Sequence, residues 1–197
     1  MVDAMDVRPW LRLLAAHPMV GMSVALLIRS ELGAAPWDVF HQAVAGTTGL
    51  SIGMLSNATA ALAIAVALGF GVRPGVGTIT NALLLGPCVN AALAVVPTAS
   101  SPIVAGAYLA GGIAALGLGT GLYLSARLGS GPRDSLMVAL ARRPGWTTAR
   151  ARLALELAVL AAGVALGGRA GIGTLIYAIA IGPVAHAGIR FFMKDSP

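Results

Sequence analysis

Two stretches of this chain repeat each other at a fixed distance. LGAAPWD at 32–38 returns as LGSGPRD at 128–134, RPGVGT at 73–78 as RAGIGT at 169–174, and LGP at 85–87 as IGP at 181–183. Each pair lies 96 residues apart without a gap, and aligning 32–95 with 128–191 gives 18 identities in 64 positions. In a soluble chain such self-similarity predicts an array of stacked units. In a very apolar chain it predicts a body of two related halves, as in many secondary transporters.

The chain is of the second kind. Of its 197 residues 57% are hydrophobic and only 10% charged, with a mean hydropathy of +0.86; soluble domains carry about 25% charged residues. Several apolar runs are about 20 residues long, the length a helix needs to cross roughly 30 Å of hydrocarbon. Abundant Gly and Ala suit membrane helices whose backbones approach closely. The first apolar run follows Arg8 and Arg12, continues to Ile28 and lacks a small-x-small cleavage site, so it is read as a span and not as a cleaved signal. Cys88 is the only cysteine, which excludes an internal disulfide and a thiolate metal site.

Six spans fit the apolar runs: 11–30, 51–72, 75–95, 103–127, 147–168 and 171–192. Between spans one and two lies Pro36 to Thr47, and its counterpart is Pro132 to Arg143. Both are too short to cross, and a proline suits the first position of a helix, so each is expected to be an interfacial or re-entrant half-helix. The predicted fold is therefore all-α and polytopic. One membrane domain, 1–197, contains repeat 1 over 11–95 and repeat 2 over 103–192, each with three spans and a half-helix. Three spans per half is an odd number, which predicts that the halves have inverted topology.

The net charge of +6 reflects arginines in short loops. With a cytoplasmic N-terminus, eleven cations (Arg8, Arg12, Arg73, Arg127, Arg133, Arg142, Arg143, Arg150, Arg152, Arg190 and Lys194) fall on the cytoplasmic side, and only Arg29 and Arg169 outside. The positive-inside rule thus puts both termini in the cytoplasm. No basic patch interleaves with aromatic residues, so nucleic acid is not an expected partner. Twelve arginines against one lysine, with much alanine, suggest a GC-rich bacterial genome.

With LGAAPWDVF, the two GxGT elements, LGSGPRDSLM and the closing GIGTLIYAIAIGP, the chain resembles the bacterial YczE/YyaS/YitT-type integral membrane proteins, above all their YczE-like branch. The resemblance runs from about Leu11 to Phe192. It implies a multi-spanning protein of the bacterial cytoplasmic (inner) membrane and carries over no catalytic residue.

The repeat also picks out the residues able to carry chemistry. Asp38 and Asp134 each stand two residues after the proline that opens a short helix. Two roles are open to them: stabilising the positive helix end, or forming a proton or cation site at each mouth of a cavity. Arg133 stands where the first half has Trp37 and could hold an anionic group. Gly86-Pro87 and Gly182-Pro183 lie halfway along spans three and six, where a proline removes a backbone bond and kinks the helix. Broken helices near the midplane point to a transporter site or to a packing kink. Asn81 and Asn90 in one half and Tyr177 and His186 in the other stand near these kinks, while Asn57 and Thr59 in span two could border the cavity of the buried acid Glu156.

Glu156 is the only acid well inside a span and faces the first half's Ala60 in the alignment. Its cost in hydrocarbon requires a partner, protonation or an interior position, and Arg152 lies one turn earlier on the same face. The GxGT elements, Gly75, Gly77, Thr78 and Gly171, Gly173, Thr174, are read as tight turns whose threonines bond free backbone at a helix start. They lack the lysine and the preceding strand of a phosphate loop. Gly117 and Gly121 form a GxxxG pattern suited to internal packing or to a homodimer.

These residues lead to a small-solute permease or exporter with a central site between the halves near Asn90 and His186. The alternative is a non-transporting accessory or scaffold protein that supports another complex. No nucleophile–base set or acid dyad has suitable spacing, so enzymatic activity is not expected, and neither a cofactor nor a metal is implied. The expected partners are the lipid bilayer and a small solute, with a homodimer possible.

Overall fold

The computed structural model describes residues 7–193, which form helices and connecting turns with no strand among them. In chain order they are α1 (Arg8–Arg29), α2 (Pro36–Thr48), α3 (Ile52–Gly69), α4 (Val76–Val95), α5 (Pro102–Ser125), α6 (Pro132–Ala141), α7 (Thr148–Ala165) and α8 (Ile172–Met193). Lys194, counted above for orientation, lies outside the described residues. The starts are written in the sequence. Proline occupies the first turn of α2, α5 and α6, where its missing N–H has no partner to lose. Ser51, Ser101 and Thr147 cap α3, α5 and α7 by accepting from the backbone N–H three residues on.

Five helices, α1, α3, α4, α5 and α8, are long and apolar enough to cross a membrane. Six were expected. The remaining one, over 147–168, forms α7 as an 18-residue helix but carries Arg150, Arg152 and Glu156, which keep it below the apolarity of the others. The two short segments are helices of 13 and 10 residues, α2 and α6. Many large apolar side chains, Leu62, Leu83, Leu153 and Ile179 among them, point outward, as hydrocarbon-facing helices require.

The 96-residue spacing recurs in the helix starts: Pro36 and Pro132, Ile52 and Thr148, Val76 and Ile172. It recurs in packing too. α1 and α5 lie against each other, with Ser23 Oγ donating to the Gly112 carbonyl at 2.7 Å. On the flanks α1 packs on α4 and α5 on α8. Gly21 sits against Cys88 in the first contact and Gly117 against Val184 in the second, at equivalent positions. The GxxxG pattern thus works within the chain, with Gly121 seated on Gly188. The short helices cross over: α2 packs on α7 and α6 on α3. A buried cluster of Leu27, Ala34, Val39, Leu109 and Ile113 joins α1, α2 and α5.

The GxGT elements act across the halves. The Gly77 N–H donates to the Leu128 carbonyl at 2.8 Å, and the Gly173 N–H to the Leu32 carbonyl at 2.7 Å. Each turn therefore docks on the loop that precedes the other half's short helix. Thr78 Oγ1 donates across to the Ser130 carbonyl, whereas Thr174 Oγ1 accepts locally from the Gly171 N–H at 3.3 Å. Gly33 and Gly129 enter these junctions with φ of 110° and 138°, backbone that a side chain would strain. A Cβ on Gly33 would also lie 2.6 Å from the Gly171 nitrogen.

Candidate functional site

The two short helices come together at their first turns. Arg133 of α6 places its guanidinium 4.6 Å from the ring centre of Trp37 on α2. Beside Trp37, Asp38 is buried, with only 4% of its surface exposed. Its Oδ1 lies 3.9 Å from Nδ1 of the fully buried His41. The other ring nitrogen of His41 is 2.9 Å from Thr59 Oγ1 on α3. Thr59 spends its hydroxyl proton on the Leu55 and Ser56 carbonyls, so His41 Nε2 donates to it. Nδ1 then turns a lone pair toward Asp38, an arrangement that suits a neutral carboxyl better than a carboxylate.

Electrostatics favours the neutral acid only below about pH 6, above which the carboxylate predominates. Burial pushes Asp38 up from the usual carboxylate range to about 6, Arg133 opposes the shift and Glu156 adds to it. Burial and Arg133 together hold His41 down at about 3, so it stays neutral. Asp134, in the first turn of α6, accepts a hydrogen bond from the Gly131 N–H and lies within electrostatic reach of Arg152 and Arg133. It thereby bonds back to its own helix start, whereas Asp38 faces His41.

Glu156, half-buried on α7, feels Arg133, Arg152 and Asp134, and Tyr177 on α8 feels Asp38, Glu156 and both arginines. Asp38, Arg133, Asp134, Arg152, Glu156 and Tyr177, from α2, α6, α7 and α8, thus lie within electrostatic reach of one another. Arg152, Glu156 and Tyr177 also line a cleft of about 270 Å³, with Pro36, Ala149, Leu153, Ala178 and Ile181.

The cleft exists because the halves are unequal. In the first half α3 lies along α4. Pro87 frees the Leu83 carbonyl, and Asn57 Nδ2 donates to it at 3.1 Å while Asn57 Oδ1 accepts from the Gly86 N–H at 2.8 Å. Asn90 completes a reciprocal clamp: its Oδ1 accepts from the Gly53 N–H at 2.9 Å, and its Nδ2 donates to Ser51 Oγ at 3.0 Å. In the second half Leu153 replaces Asn57, Ala149 replaces Gly53 and His186 replaces Asn90. The clamp cannot form, α7 does not pack along α8, and the polar groups of Arg152, Glu156 and Tyr177 line the space left between them.

The residues expected at a central site therefore separate. Asn90 ties α4 to α3, Asn81 is half-buried on α4, and His186 is exposed on α8 and does not line the cleft. Pro87 and Pro183 face outward; Gly86 is buried against α3, and Gly182 is exposed. His41 and Trp37 belong to this group although the repeat does not mark them, since Met137 and Arg133 occupy their places in the second half. The available signal for His41 was its position one turn after Asp38 on the same helix face. Among the described residues no group of three or more His, Cys, Asp or Glu could hold a metal ion.

A family model described as a family of unknown function, DUF6198, matches residues 7–192. The chain is 32% identical over 189 residues to the uncharacterized membrane protein YczE of Bacillus subtilis (strain 168), covering 95% of this chain and 86% of that protein. It is also 32% identical over 182 residues to an uncharacterized protein of Haemophilus influenzae, covering 92% of this chain and 82% of the relative. No solved structure matches the chain.

Proposed function

The chain belongs to the DUF6198 family and is a YczE-like membrane protein, and we propose that it is a small-solute permease or exporter of the bacterial inner membrane. The observation that carries this reading is the cleft of about 270 Å³ between α7 and the membrane-length α8, lined by the charged groups of Arg152 and Glu156. Ionisable side chains inside a membrane body are expensive, and they characteristically mark solute or proton pathways. The site is off-centre, on the second half, and not between Pro87 and Pro183. Its chemistry is binding and proton exchange, not catalysis.

The proposal keeps the two halves inverted, with α7 as a sixth span and α2 and α6 as non-crossing half-helices. The reciprocal docking of each GxGT turn on the other half's loop supports two equivalent units. Reporter fusions at Pro74 and within 140–145 should read cytoplasmic and one at Thr98 external; a cytoplasmic reading at Thr98 overturns the inversion. Transport is tested in proteoliposomes by solid-supported-membrane electrophysiology against a panel of small acids, amines and zwitterions. At least one solute class should give a current that Glu156→Gln abolishes while the variant still folds. No current from any class sinks the permease reading.

One observation favours a second reading. The cleft lies between α7 and α8, helices that leave each other unpacked, so a helix of another membrane protein could fill it. That would make the chain an accessory protein, and native mass analysis of mild-detergent extracts would then reveal a stoichiometric partner lost in Leu153→Trp.

A further inference from the structure

The end of the bundle away from most of the arginines carries a second cavity. Its volume is about 220 Å³, and its lining includes Arg29, Glu31, Gly33, Gln42, Thr98 and Arg169. Arg29 and Arg169 are the two cations that the positive-inside bias leaves on the outer side, and they come from opposite halves of the chain. Two exceptions to a strong charge bias converge on one pocket.

The pocket is built, and part of it is unsatisfied. Arg29 is held by its Nη2 bond to the Leu93 carbonyl at 2.8 Å and by a longer Nη1 bond to Thr98 Oγ1 at 3.4 Å. The Ala99 N–H donates to the Arg29 carbonyl at 2.9 Å, fixing the loop against the end of α1. Arg29 Nε is nevertheless buried with no acceptor. Enclosed by protein, Nε is out of reach of the cavity, so an anion there would meet the Nη groups, of which Nη1 holds only the longer bond. Arg169 is exposed at the rim and makes no hydrogen bond or ion pair with a described residue. Glu31 contributes one carboxylate and stands in left-handed backbone, φ 56°. Gln42 is turned away in part, donating to the Asp38 carbonyl at 3.3 Å.

We propose that this pocket binds a singly charged oxyanion, a carboxylate or a phosphodiester, between Arg29 and Arg169. Guanidinium groups recognise such anions through paired N–H donors. Two arginines against Glu31 leave one net positive charge, which matches a monoanion. The volume suits a small acid or a headgroup and not a drug-sized ligand. The shared chemistry has two sources, a soluble carboxylate and a lipid phosphate. The pocket stands apart from the Arg152 cleft, and its occupancy does not depend on transport.

The test uses the full chain in detergent, with sodium acetate titrated against sodium chloride at constant ionic strength and thermal unfolding as readout. A second arm measures retention of phosphatidylglycerol by native mass analysis. Arg169→Gln should weaken anion binding about tenfold, the loss of one charge-assisted pair, with unchanged unfolding in chloride. Glu31→Gln should tighten it about threefold or more, because it removes a like charge from the anion's surroundings. A purely structural Glu31 would not do this. If acetate responds in this pattern, the occupant is a soluble carboxylate. If only phosphatidylglycerol retention responds, the occupant is a lipid phosphodiester. If neither arm changes in Arg169→Gln, or if Glu31→Gln weakens binding, the proposal is overturned.

Discussion

Arg133 stacks on Trp37, and the two residues occupy the same position in the two halves of the chain. A repeat partner is thus also a contact partner, at the first turns of the two short helices. Substitution has made that junction unequal: one half supplies a π face, the other a cation.

Trp37→Leu and Arg133→Gln should each lower thermal stability, and their double mutant should lose less than the sum. The coupling expected for a partly desolvated cation–π pair is about 1–2 kcal/mol. A double-mutant cycle by thermal unfolding measures it, and strict additivity would mean that the ring and the guanidinium merely sit side by side.

Asn57 closes the Pro87 kink, and nothing equivalent closes the one at Pro183. Asn57→Leu strands the Gly86 N–H and the Leu83 carbonyl and should cost on the order of 2–4 kcal/mol. The reverse exchange, Leu153→Asn, offers the second half a clamp and should draw α7 toward α8. Stability should rise, and any solute current through the cleft should fall. A Leu153→Asn protein with lower stability and an unchanged current would sever the link between clamp and cleft.

Asp38 gives a pH signature. Its folded-state pKa is raised to about 6 by burial, while the unfolded chain titrates it near 3.8. The folded form therefore holds its proton more tightly, and the resulting stability is complete below about pH 4 and lost as pH rises through about 6. Arg133 from α6, Glu156 from α7, Tyr177 from α8 and neutral His41 on α2 surround the group. Asp38→Asn removes the titration. Against wild type it should be more stable by about 1 kcal/mol at pH 4.5 and by about 3 kcal/mol at pH 7.5. Melting curves at the two pH values decide; a difference independent of pH would leave Asp38 charged throughout.

Gly33→Ala should be among the most damaging small substitutions, because left-handed backbone and the neighbouring Gly171 nitrogen both exclude a Cβ. Gly46→Ala, with open space around its Cβ position, is the control and should be silent or mildly stabilising. Yield of monodisperse protein after detergent extraction separates the two outcomes.

Much of this architecture was legible because apolar length, helix-opening prolines and the 96-residue offset are local signals. They located all eight helices and put Asp38 and Asp134 in the first turns of α2 and α6. What escaped was set by differences between the halves. Asn90 and His186 align in sequence, yet one clamps two helices and the other is exposed, because a clamp also needs Gly53 and Asn57 on the facing helix. Glu156 and Arg152 stood out as charges in an apolar run, but their meeting with Arg133 depends on α6 crossing to the other half, which no periodicity within one helix records.

The exchanged GxGT contacts bear on how the chain is made. The loop before α2 leaves the ribosome early, yet its acceptor at Leu32 stays without the Gly173 N–H until the last helix has been synthesised. The first half consequently enters the membrane as an unfinished folding unit, and its assembly waits on the end of translation. Premature termination anywhere before α8 should leave a product that cellular quality control treats as unfolded, however completely its helices have inserted.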